Sequence, residues 1–63
     1  MVVNNHMTNK ELLIEAIEKA IEGEDVRYII VDDILEFERY DEILIGNKYV
    51  IQQFGDYYVA FIF

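Results

Sequence analysis

The spacing of hydrophobic positions changes along the chain, and each change predicts a different element. Leu13, Ile14, Ile17, Ala20 and Ile21 recur at intervals of three and four and share one side of a helical wheel, with Glu11, Glu15, Glu18, Lys19 and Glu22 opposite. Thr8 and Glu11 bracket a capping box, and Gly23 is a natural stop, so a helix is predicted over residues 8–22. Leu12 projects from the charged side, where it is either an ordinary exposed leucine or part of a contact surface.

Residues 26–31 are β-branched and aromatic and read as a strand. In residues 41–63, apolar runs are broken by Gly46-Asn47 and by Gly55-Asp56, pairs suited to tight hairpin turns, which predicts a three-strand meander. Counting outward from two-residue turns sets Ile45 opposite Lys48, Ile43 opposite Val50, Phe54 opposite Tyr57 and Val50 opposite Phe61. Residues 34–40 alternate as a further strand that would close on the first through Asp32-Asp33, pairing Tyr28 with Phe37 and Arg27 with Glu38. The rival reading is a short helix capped by Asp32, with Ile34, Leu35 and Phe37 inward. The fold class expected is α+β, one N-terminal helix packed on an antiparallel sheet made of the C-terminal meander plus one or two preceding strands.

In that register both faces of the sheet are apolar. One carries Ile43, Ile45, Val50, Phe54, Tyr57, Val59, Phe61 and Phe63, and the other Tyr40, Leu44, Tyr49, Ile51, Tyr58, Ala60 and Ile62. A sheet wetted on one side shows a polar alternation that is missing here, and one helix cannot cover two faces. The second face is therefore expected to form a homodimer interface through Tyr40, Leu44, Tyr49, Ile51, Tyr58 and Ile62, unless the chain rolls up to enclose it.

Composition points the same way. At 63 residues, folding buries only about 60% of the unfolded surface, and small domains usually need disulfides, a metal or association to hold together. Cysteine is absent and there is one histidine, which leaves association. A single domain is expected over residues 8–63. Residues 1–7 read as a disordered leader or, given His6-Met7, a cloning remnant before a native start.

Candidate chemistry is sparse. Serine and cysteine are missing, Thr8 is used in a cap, and His6 lies in the leader, so no catalytic residue is assigned and the chain is not expected to be an enzyme. Asp32, Asp33 and Glu36 offer oxygen ligands, but at a spacing common by chance, and no metal or cofactor is expected. Charge is the distinctive feature. Thirteen acids against five bases give a net charge of −8, which argues against direct binding to nucleic acid or an anionic membrane. Residues 18–42 hold ten of those acids, Glu18, Glu22, Glu24, Asp25, Asp32, Asp33, Glu36, Glu38, Asp41 and Glu42, against Lys19, Arg27 and Arg39.

Carboxylates on a small rigid frame can imitate a phosphate backbone and occupy a basic groove on another protein. In size, charge and tyrosine content the chain resembles the small acidic inhibitors that phages and mobile elements direct against host defence or DNA-handling enzymes. That resemblance implies a DNA-mimicking antagonist of a protein partner such as a nuclease or CRISPR effector, with the ten acids as its partner-binding surface, working in the bacterial cytosol. The alternative is a structural or regulatory interaction subunit, antitoxin-like or an assembly module, with no inhibitory role.

Overall fold

The computed structural model describes residues 8–63, and the leader read at residues 1–7 lies outside the described residues. Helix α1 spans Asn9–Ala20 and is followed by strand β1, Arg27–Val31. A 3₁₀ helix, Ile34–Tyr40, and a short helix α2, Asp41–Gly46, lead into strands β2, Tyr49–Phe54, and β3, Tyr57–Ile62. The class is α+β, with helices around a three-stranded antiparallel sheet of order β1-β3-β2.

Local chemistry explains both ends of α1. The Thr8 hydroxyl accepts the Glu11 N–H at 3.1 Å, satisfying one of the donors that a helix start leaves open. Beyond the last turn Gly23 takes φ +82°, a left-handed conformation that costs a residue with a Cβ. Ile17 is buried, Leu13, Ile14 and Ile21 are partly buried, and Leu12 is exposed, as the wheel predicts; Ala20, read as inward, is exposed.

The C-terminal hairpin forms in the expected register, with Phe54 opposite Tyr57 and Val50 opposite Phe61. Gly55 has φ +58° and Asp56 does not have a positive φ, which places glycine first in the turn, as a type II′ hairpin requires. The other edge of β3 pairs with β1, setting Ile29 opposite Ala60 and Val31 opposite Tyr58.

Two expectations are overturned. Residues 43–45 are not the first strand of a meander but part of α2, so Ile43 and Ile45 face neither Val50 nor Lys48 across a hairpin. Gly46 has no positive φ; Gly46-Asn47 instead ends the helix, and the Asn47 amide donates to the Ile43 carbonyl at 2.8 Å. Residues 34–40 are the 3₁₀ helix, not a strand, so the Tyr28–Phe37 and Arg27–Glu38 pairings do not form. Its cap is Asp33, whose carboxylate accepts the Leu35 N–H at 3.0 Å; Asp32 does not serve, and of the side chains read as inward only Phe37 is buried, Ile34 and Leu35 being exposed. Phe37, Tyr40 and Leu44 stand three and four residues apart, a helical spacing that gives this crossover one apolar side.

That side covers a face of the sheet. Phe37 and Leu44 form the core with Val31, Ala60 and Ile62, and Ile29, Tyr40 and Tyr58 pack around it. On the opposite face α1 lies beside β1, where the Tyr28 hydroxyl donates to Glu18 at 3.3 Å. On that face too, Phe54 and Phe61 meet edge to face at 6.3 Å, with the fully buried Val59 between Tyr57 and Phe61 on the same side of β3.

Candidate functional site

The acidic segment is divided by the fold. Glu18 and Glu22 leave the end of α1, and Glu24 and Asp25 lie in the loop before β1. Asp32 and Asp33 begin beyond the other end of β1, and Glu36, Glu38, Asp41 and Glu42 follow along the crossover. From Asp25 to Asp32 is roughly 20 Å at the 3.3 Å rise of a strand. Nine of the ten acids are exposed and Glu36 is partly so.

Few of these carboxylates are engaged. Among the described residues the ion pair is Lys19 with Glu15 at 3.4 Å, and none of the ten takes part in one. Asp33 caps the 3₁₀ helix and Glu18 receives the Tyr28 hydroxyl. The Tyr28 phenol is held above the ordinary tyrosine value, first by desolvation and then by the neighbouring Glu18 carboxylate, since both disfavour a phenolate. No group of three metal-ligating side chains occurs among the described residues, so Asp32, Asp33 and Glu36 are not assembled around a common point. No helix of the described residues is long and apolar enough to cross a membrane.

The six side chains assigned to a dimer face separate into two sets. Leu44 and Ile62 are 4% and 2% exposed within the chain's own core, and Tyr40 and Tyr58 pack against that core. Tyr49 and Ile51 remain open on β2. All six residues of β2 are exposed, Tyr49, Val50, Ile51 and Phe54 among them, because the crossover and α1 lie toward β1 and β3. Sequence reading treated the meander as one sheet and missed this difference between its strands. The available signal was the absence of charge and proline from Tyr49 to Phe54, which is unusual for a strand at a sheet edge.

No protein-family model, curated protein or solved structure matches the chain.

Proposed function

We propose that the protein is a small acidic binding protein that inhibits a partner, a phage-type antagonist of a bacterial defence or DNA-handling enzyme, acting without catalysis or cofactor. One observation carries this reading: of ten acids within twenty-five residues nine are exposed and Glu36 partly so, and among the described residues no cation is paired to any of them. Unpaired like charges cost folding free energy, and a partner with a basic groove would recover it on binding. The stretch from Asp25 to Asp32 spans roughly 20 Å, about six phosphates along one strand at 3.4 Å each. The open β2 strand favours a second reading, an interaction subunit that assembles by strand addition.

The test uses the wild-type chain and the triple variant D32N/D33N/E36Q as baits in bacterial lysate. The amide at position 33 keeps a capping group, so a loss of capture reports charge. The expected result is capture of a nucleic-acid enzyme that duplex DNA displaces, that the triple variant captures more slowly, and whose activity the free protein lowers. Capture unaffected by salt and by the triple variant would reject the acidic surface as the contact.

A further inference from the structure

We propose that β2 is a self-pairing edge, and that two copies of the chain join β2 to β2 antiparallel, centred on Gln52, into one six-stranded sheet. This goes beyond the acidic-surface reading and does not depend on it. The outer edge of β2 presents unused backbone groups. Phe54 and Tyr57 flank a two-residue turn and so exchange hydrogen bonds, and at the far end of the hairpin the Phe63 N–H donates to the Lys48 carbonyl at 2.9 Å. Alternation between these ends turns the backbone of Lys48, Val50, Gln52 and Phe54 toward β3 and that of Tyr49, Ile51 and Gln53 outward. Among the described residues no strand takes up the outward groups.

Natural edges are commonly blunted by charge, proline or a bulge, and Tyr49–Phe54 has neither charge nor proline. The charges lie just outside it. Lys48 and Asp56 are the only charged side chains in residues 43–63, and they flank the strand with opposite signs. A parallel pairing would set like beside like, whereas an antiparallel one can set each against its opposite.

The register follows from these charges. Opposed residues must share a face of the sheet, which restricts the two-fold axis to a residue and excludes a point between residues. Centring on Gln52 places Lys48 opposite Asp56 of the second copy twice over, Val50 opposite Phe54, and Gln52 opposite itself. Ile51 then exchanges hydrogen bonds with Gln53, and Tyr49 with Gly55. Centring on Ile51 sets Lys48 against Phe54, and centring on Gln53 sets Val50 against Asp56, so both lose the charge pairs. The arrangement also continues the Phe54–Phe61 aromatic face across the junction. It keeps the carboxylates at the two ends of β1 apart, because β1 is the strand farthest from the junction. Five strand spacings, about 24 Å, separate β1 from its symmetry mate, three times the screening length of about 8 Å at physiological salt.

Sedimentation equilibrium of the full chain at low salt, with circular dichroism to verify folding, tests the proposal. The wild type is expected at twice the mass of the chain. K48D and D56K each convert both end pairs to like-charge contacts and should weaken the dimer about tenfold, and the swap K48D/D56K should restore it. I51P removes an outward N–H that β3 does not use, so it should yield a folded monomer. A monomeric wild type, a swap no tighter than the single variants, or a dimer indifferent to I51P would overturn the proposal.

Discussion

Adjacent residues in α2 have opposite fates, and their contrast measures how narrowly the core is drawn. Leu44 is 4% exposed among Phe37, Val31, Ala60 and Ile62, whereas Ile45, one position on, is 79% exposed. A buried leucine cut to alanine loses its transfer free energy and leaves a cavity, about 2–5 kcal/mol in all, while an exposed side chain changes stability by about 0.5 kcal/mol or less. In a domain with so small a core, L44A is expected to unfold much of the population at 25 °C and I45A to leave the urea midpoint almost unmoved. Had residues 43–45 been a strand of the meander, Ile43 and Ile45 would share a face and I45A would carry a cost of its own. Equal effects of the two substitutions would contradict the helix.

At the scale of elements, two glycines that look alike in sequence have different duties. Each opens a glycine pair with a turn-forming residue, Gly46-Asn47 and Gly55-Asp56. Gly55 sits at φ +58° at the head of the β2–β3 turn, while Gly46 closes α2 without a positive φ, and a Cβ at either meets no atom within 4 Å. The difference is therefore conformational and not steric. G55A should lose about 1 kcal/mol by forcing a Cβ into the left-handed region, and G46A should be neutral or gain up to about 1 kcal/mol from better helix propensity. Chemical denaturation of both variants against wild type checks the pair, and a destabilised G46A would show that residues 46–47 form a turn needing glycine.

For the whole molecule, the balance lies between acidic repulsion and a small apolar core. Asp25 and Asp32, at the two ends of β1, lie roughly 20 Å apart, more than twice the screening length of about 8 Å, while Glu36, Glu38, Asp41 and Glu42 follow the crossover back over the sheet, so repulsion acts chiefly between the acids that lie close together. Screening should therefore relieve it only in part. Raising sodium chloride to about 1 M at pH 7, where the screening length is about 3 Å, is expected to raise the melting temperature by about 3 °C. Calorimetry decides this, and a melting temperature that stays level or falls would mean that the carboxylates are too dispersed to present a concentrated negative surface.

What the sequence determined alone was whatever rests on neighbours along the chain. The capped start of α1, the Gly55-Asp56 turn and the β2–β3 register follow from contacts three or four residues apart or directly across a tight turn, and β1 from its β-branched and aromatic residues, while α1 ends at Ala20, short of the expected stop at Gly23. The exposure of the acidic residues follows too, because charged side chains are seldom buried unpaired. Residues 34–40 read as a strand with a short helix as the rival, and residues 41–46 as the first strand of the meander, although the spacing of Phe37, Tyr40 and Leu44 also suits a helix. Tertiary structure decided between them. Since β1 and β2 both pair antiparallel to β3, they run in the same direction, and the chain between them must cross back over the sheet. Here the return is made by the 3₁₀ helix and α2, whose apolar side packs Phe37 and Leu44 into the core against the sheet. The same crossover chose which face of the sheet is covered and left β2 open, an outcome set by contacts between residues distant in the chain, which no local pattern encodes.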